Sequence, residues 1–362
     1  MGQLISPGHS DLPDRPVVPP QIYTETDFLA AVKDGAPPVH QTIPPQKKVD
    51  PEAVHANLTG KRSQLWSRDD ISHVDKAIFS ALEIAAGLTC DMITKGINKI
   101  RIDNHEAFLG VYDKRDRDRI YGPNTGLITA GNHLSYCDDP IIIAAFLKKR
   151  YLEAAGILWG DDTAYRLWHW MLAAKENYFF HKNPHIRKLF RAFFGYTKTV
   201  PIIRKSSVED PNFNAAEQFA MQRFEGFLRN GDWVNIFPEG TRQYNHGELL
   251  PFKNGIGRLA VEAGENAIFV PFGHAGTERI SPMGSKMEIR DENGVVRHDF
   301  MRGGQEIQVV MGDPVVLRDI VKDVPHTEEG YAYVKEILRE EVKRCFGKAL
   351  ILDREAQEMR DW

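Results

Sequence analysis

The chain has 362 residues, 42% of them hydrophobic and 10% aromatic, enough to pack one large domain or two small ones and too apolar for wholesale disorder. Its 46 Lys and Arg stand against 50 Asp and Glu, a formal net charge of −4, which argues against a globally basic nucleic-acid binder. The three cysteines, Cys90, Cys137 and Cys345, lie too far apart for a disulfide framework or a zinc spacing, and a reducing compartment is the default.

Ten of the 21 prolines fall within 7–51, in pairs that block helix and sheet pairing alike, so residues 1–62 are predicted to be a Pro-rich disordered extension. The first six residues, Met1-Gly2-Gln3-Leu4-Ile5-Ser6, fit the myristoylation pattern, in which Gly2 carries the chain. A basic start and apolar run of a secretory signal are missing, and Asp11, Asp14, Glu25 and Asp27 do not suit a mitochondrial transit peptide. Residues 63–125 are expected to be an amphipathic helical region that associates with membranes. Within it, over 77–100, Ser80, Glu83, Gly87, Asp91, Thr94 and Asn98 make one polar stripe, while Ile78, Leu82, Leu88, Met92 and Ile93 fill the remaining face. Lys76, Lys95 and Lys99 suit an interfacial helix on anionic lipid; the alternative is a helix packed on its own domain. No window reaches the about 18 uncharged apolar residues that a spanning helix needs.

From residue 126 the pattern becomes α/β, and the core is expected to run over 126–325. Apolar runs at 126–130, 154–159, 199–203, 233–237, 267–272 and 306–311 predict buried strands. Helices are predicted over 140–151, opened by Asp138, Asp139 and a first-turn proline, and over 213–229, closed by Asn230-Gly231. The C-terminal helices of 326–362 are read as a charged one over 327–346 and another over 349–362.

Two constellations carry chemistry. Asn132-His133-Leu134-Ser135-Tyr136-Cys137-Asp138-Asp139-Pro140 places a His and an Asp five positions apart at a strand-to-helix junction. An imidazole can accept a hydroxyl proton, and a carboxylate on its other nitrogen fixes the tautomer and stabilises the imidazolium. The bare spacing arises about once by chance in a chain with this many histidines, and His9 with Asp14 supplies such a match. Only His133 follows a strand; the competing reading makes it a capping or core histidine. The second constellation is Phe237-Pro238-Glu239-Gly240-Thr241-Arg242, where a strand ends in a turn able to offer N–H groups and a guanidinium to a phosphate. Arg204 with Lys205 after 199–203, and Lys253 in Phe252-Lys253-Asn254-Gly255-Ile256-Gly257-Arg258, add cations of the same kind.

Together these blocks resemble the glycerolipid acyltransferase superfamily, whose mark is a His and an Asp in an HxxxxD motif, and most closely its tafazzin-like branch. The ordered matches are Asn132-His133 through Pro140, 199–204, 231–240, 252–259 and Val270-Pro271-Phe272-x-His274-x-Gly276, and the likeness spans about 80–320. Thr241-Arg242 departs from the tafazzin pattern and is similar to the 1-acylglycerol-3-phosphate acyltransferases. The resemblance implies a mixed central sheet flanked by helices, like that of glycerol-3-phosphate acyltransferase. It further implies an O-acyltransferase or transacylase that moves a fatty acyl chain onto a lysophospholipid hydroxyl in phospholipid metabolism, with His133 as general base and Asp138 as its partner. Arg204, Arg242 and Lys253 fall to the acceptor phosphate, Gly240 and Thr241 to the same substrate-binding loop with Glu239 shaping it, and backbone N–H groups near Gly240 to the oxyanion. No cofactor or metal is implied, since acyl-CoA or a phospholipid is the donor substrate. Asp139 is read as catalytic neighbour or helix cap, Cys137 as structural, and His274 as a matched position with packing as its alternative. The implied partners are membrane phospholipids, cardiolipin among them, with a peripheral location on a cytosolic or organellar face; a mitochondrial membrane follows from the family alone. Residues 155–196 hold 11 of the 36 aromatics, interleaved with Arg166, Lys182, Arg187, Lys188 and Arg191, and are expected to dock on lipid.

Overall fold

The computed structural model describes residues 98–135, 138, 146, 170–174, 199–202, 213–242, 247–280, 288–290, 296–298 and 303–360. Its strands are β1 (Lys99–Asp103), β2 (Gly126–Ala130), β3 (Trp170–Ala174), β4 (Thr199–Ile202), β5 (Trp233–Ile236), β6 (Ala267–Ala275), β7 (Glu288–Arg290), β8 (Val296–His298), β9 (Glu306–Met311) and β10 (Val315–Val316). Its helices are α1 (His105–Tyr112), α2 (Lys114–Tyr121), α3 (Phe213–Arg229), α4 (Gly255–Ala263), α5 (Thr277–Ile280), α6 (Leu317–Val321) and α7 (Glu328–Glu358).

The main sheet runs β1-β9-β6-β2-β5-β3-β4, with β10 on β6. Strands β6, β2, β5, β3 and β4 are mutually parallel, and β9 turns antiparallel against the far half of β6, so the expected mixed α/β sheet is present. All five residues of β2 are buried, as a strand covered on both faces requires. Alternation sorts the side chains: Ile128, Val234 and Phe269 join one core with Phe224, Leu259, Leu338 and Phe346 of α3, α4 and α7. Leu127, Trp233 and Ile268 join the other with Phe108, Val111 and Tyr112 of α1. Pro201, which lacks a ladder donor, lies on β4, an edge strand among the described residues.

Several elements differ from the sequence reading. The C-terminal stretch is one 31-residue helix rather than two, because the apolar stripe of Val334, Leu338, Val342, Phe346, Ala349 and Ala356 continues through Gly347. Of the amphipathic helix expected over 77–100, residues 77–97 lie outside the described residues, and Lys99 and Ile100 are strand, paired in parallel with Glu306 and Ile307. Part of the 63–125 segment is therefore built into the main sheet. The aromatic-rich 155–196 contributes strand β3; the rest of it, the run at 154–159 and most of the helix expected over 140–151 lie outside the described residues. Among the described residues no helix is long and apolar enough to cross a membrane.

At the amino ends of β2 and β5 sits a buried cation, Arg117. Its guanidinium donates to the carbonyls of Val111, Tyr112, Thr125 and Gly231 at 2.7–3.0 Å, tying the α1–α2 junction to the residues that lead into β2 and β5. Burial pushes its pKa down to about 10, against the opposing fields of Asp118, Asp232 and Asp113, so it stays charged at neutral pH.

Candidate active site

Because β2, β5 and β6 are parallel, their carboxyl ends open on the same side of the sheet, where open α/β sheets place ligands. β2 delivers Asn132 and His133, β5 delivers Phe237 to Gly240, and β6 ends with His274 and Ala275. His133 Nδ1 lies 2.8 Å from Asp138 Oδ2. Asp138 is fully buried, and the same oxygen accepts the backbone N–H of Leu134 at 2.5 Å and of Ser135 at 2.8 Å. The carboxylate thus closes back on the loop that carries the histidine. A carboxylate accepts, so Nδ1 bears the proton and Nε2 is left with its lone pair, and Nε2 has no protein partner among the described residues. The ring stacks on Phe237 at 4.6 Å with 16° between planes, which fixes its orientation.

Burial by itself would raise the Asp138 carboxyl. The fields of His274 and His133 and the hydrogen bond from His133 outweigh it and hold the group below its ordinary range. A depressed folded value means that this carboxylate adds stability above pH 3.8 and that the gain disappears as pH falls through the folded value.

Glu239 is buried, and its two oxygens stitch separate loops. One accepts the N–H of His133 at 2.8 Å and the other the N–H of Leu250 at 2.9 Å. Sequence reasoning grouped it with the phosphate loop; the structure places it as the tie between that loop and the histidine's backbone. Lys253 N–H donates to Pro238 O at 2.8 Å, which brings the exposed Lys253 beside Gly240, whose φ of 68° favours glycine. Thr241 is exposed and Arg242 half-buried on the same turn. The Gly240 N–H, expected to be near an oxyanion, instead closes the turn onto Phe237 O at 3.0 Å. Arg204, Cys137 and Asp139 lie outside the described residues. Replacing Glu239 by Gln turns one accepting oxygen into a donor facing an N–H and is expected to lower stability by about 1–3 kcal/mol in urea unfolding. An unchanged midpoint would show that the two N–H bonds contribute nothing.

Three residues at this end of the sheet carried no local signal of their contacts. Phe237 belongs to a quoted block, but nothing in its spacing announces a ring stacked on His133. Asn132 and His274 are 142 positions apart, and their side chains and backbones are joined by three hydrogen bonds.

Residues 110–275 match the family model described as Acyltransferase, as the ordered blocks led one to expect. The chain is similar to Tafazzin of Drosophila melanogaster, 23% identical over 72% of this chain and 58% of that protein. It is also similar to N-acylphosphatidylethanolamine synthase of Arabidopsis thaliana, 28% identical over 60% and 63%, and to Taffazin of Dictyostelium discoideum, 30% identical over 46% and 50%. It thus spans about half to three fifths of the length of these relatives. Among solved structures it superposes on the 1-acyl-sn-glycerophosphate (LPA) acyltransferase PlsC of Thermotoga maritima with a TM-score of 0.43 and 18% identity, over 81% of this chain and 97% of the other. That superposition is too loose to add to the topology described above.

Proposed function

We propose that the chain is an acyltransferase that moves a fatty acyl group onto a lysophospholipid hydroxyl, a tafazzin-like remodelling of membrane phospholipid. The observation that carries this reading is the His133–Asp138 contact, which leaves Nε2 as a base with its partner already fixed. Nε2 takes the acceptor's hydroxyl proton as the oxygen attacks the acyl carbonyl. The tetrahedral intermediate then expels the donor's thiolate or alkoxide, which receives the same proton from Nε2, and the new ester is left behind. Asp138 stabilises the transient imidazolium, and no covalent acyl-enzyme is required. Gly240, Thr241, Arg242, Lys253 and Arg204 supply the acceptor-phosphate site, with Glu239 holding that loop at a fixed distance from the base. Docking on the membrane falls to the aromatic and basic segment 155–196 and to a lipid chain on Gly2.

Thr241-Arg242 favours a second reading, acyl-CoA-dependent acylation of 1-acylglycerol-3-phosphate, because a phosphate monoester gains most from a guanidinium. The test gives purified protein a labelled acyl donor, as CoA thioester or as phospholipid. Lysocardiolipin, lysophosphatidate and phosphatidylethanolamine compete as acceptors. Transfer from phospholipid to lysocardiolipin is the expected result. Transfer from CoA to lysophosphatidate establishes the second reading. Acylation of the phosphatidylethanolamine amine moves the chain toward the plant relative's printed activity. Fatty acid release without an acceptor would mean a hydrolase, and liposome binding without turnover a lipid-binding protein; either overturns the proposal.

A further inference from the structure

Beyond the histidine that faces substrate, the site contains a second one that the reaction does not use. His274 has no exposed surface and lies on β6, one strand away from His133. Its Nε2 is 2.7 Å from the carbonyl oxygen of Asn132, and a carbonyl only accepts, so Nε2 carries the proton. The remaining nitrogen, Nδ1, then accepts from the Thr277 hydroxyl at 3.2 Å. Both ring nitrogens are satisfied in the neutral form, and the tautomer is set by the partners on either side. Asn132 completes the clamp: its amide donates to His274 O at 3.0 Å and its Oδ1 accepts His274 N–H at 2.9 Å. The same Nε2 faces Asp138 Oδ2, the oxygen that holds His133, at 3.7 Å.

Resting on the acyl-transfer reading above, we propose that His274 is a positioning residue: its neutral Nε2–H locks the Asn132 carbonyl and faces Asp138, fixing the His133–Asp138 contact from behind. Residue 132 directly precedes the base, so slack at its carbonyl becomes slack in the imidazole. A displacement of about 1 Å can cost about a hundredfold in rate. Neutrality matters as much as position. A second imidazolium beside Asp138 would compete with His133 for one carboxylate. The groups whose fields reach His274 are Asp138 and Glu278, which favour its charged form, and His133, which opposes it; burial is the largest influence and keeps the ring's pKa below its ordinary 6.5. Its folded value is lowered, so the unfolded chain binds the extra proton first and stability falls as pH drops below 6.5.

The test compares His274→Leu, His274→Gln and Thr277→Val in the intact chain. In His274→Leu, kcat is expected to fall by about ten- to a hundredfold with KM for donor and acceptor nearly unchanged. The His133 Nδ1–H resonance, followed by histidine-labelled NMR without substrate, is expected to move upfield and exchange faster with water as its carboxylate contact loosens. His274→Gln restores a donor to the Asn132 carbonyl without a titrating ring; it should recover most of kcat and lose part of the stability decline between pH 6.5 and 5. Thr277→Val leaves Nδ1 without its donor, should lower kcat in the native background, and should add nothing to His274→Leu, since Thr277 acts through His274. A His274→Leu protein that is less stable but keeps the His133 Nδ1–H resonance and kcat would overturn the proposal, leaving His274 as packing. Absence of His133-dependent transfer in the wild-type protein overturns the acyl-transfer reading instead, and the Nδ1–H resonance still reports separately on the clamp.

Discussion

Substituting His133 by alanine is expected to lower kcat for acyl transfer by about 10²–10⁴-fold, the range that a general base contributes, with the fold intact. The side chain is partly exposed, 21%, and its bonded partner is the buried Asp138, so its loss opens a polar space at the site mouth rather than a hole in either core. Asp138→Asn should cost a comparable amount for a different reason. Oδ2 accepts three N–H groups, and an amide nitrogen at that position would face donors, while an amide oxygen there would remove the charge that stabilises the imidazolium. The double variant should be no worse than His133→Ala alone, because the two residues act as a unit. Single-turnover rates measured with thermal melts on the same samples distinguish chemistry from unfolding. Full activity in His133→Ala would remove it as the base.

The largest stability effect is expected at Arg117. Substituting methionine keeps much of the volume and removes the charge, but leaves the Val111, Tyr112, Thr125 and Gly231 carbonyls without their shared donor in a site that water does not reach. Stranding one partner of a buried charged network typically costs about 3–5 kcal/mol, which corresponds to a melting shift of about 10 °C for a domain of this size. The comparison is Arg119→Met on the same helix, whose guanidinium is 77% exposed and paired to Asp116 at 3.1 Å. That surface pair should contribute less than about 1 kcal/mol. Urea unfolding of both variants checks the contrast, and equal midpoints would mean that the buried guanidinium holds nothing that solvent cannot replace. Activity per folded molecule should survive in Arg117→Met, since the residue sits at the amino ends of β2 and β5 and the reactive groups lie at their carboxyl ends.

Strands β2, β5 and β9 were legible because each is a short run whose every residue is buried, which leaves a mostly apolar word in the sequence. Helix α3 was legible to the residue, since Asn230-Gly231 ends it chemically, and Gly231 adopts a φ of 75°. The His133 to Asp138 relation was legible for the same reason: five residues of one loop decide it. The phosphate-loop residues were legible as types, yet their arrangement was not. Glu239 reads equally well as a ligand or a brace until the N–H groups of His133 and Leu250 are seen to occupy its two oxygens.

What lay beyond the sequence depends on distant partners. Arg117 stands in a string of alternating charges, Lys114 to Arg119, that has no apolar period to mark its one buried member; the carbonyl of Gly231, 114 positions away, decides it. β1 needed β9, more than two hundred residues later, to become a strand. Helix α7 passes Gly347 unbroken because its apolar face has a sheet to cover, and burial outweighs the about 1 kcal/mol that a glycine costs a helix. By itself the sequence determined the α/β layering, five of the ten described strands, and which residue types meet at the end of β2, since periodicity and short-range spacing record which way a segment faces. Only the tertiary structure decided which buried charges are satisfied and which second histidine stands behind the first. Those depend on hydrogen-bond partners that one segment cannot specify for another, because an orphaned buried polar group is too costly to tolerate and its partner is wherever the fold brings one.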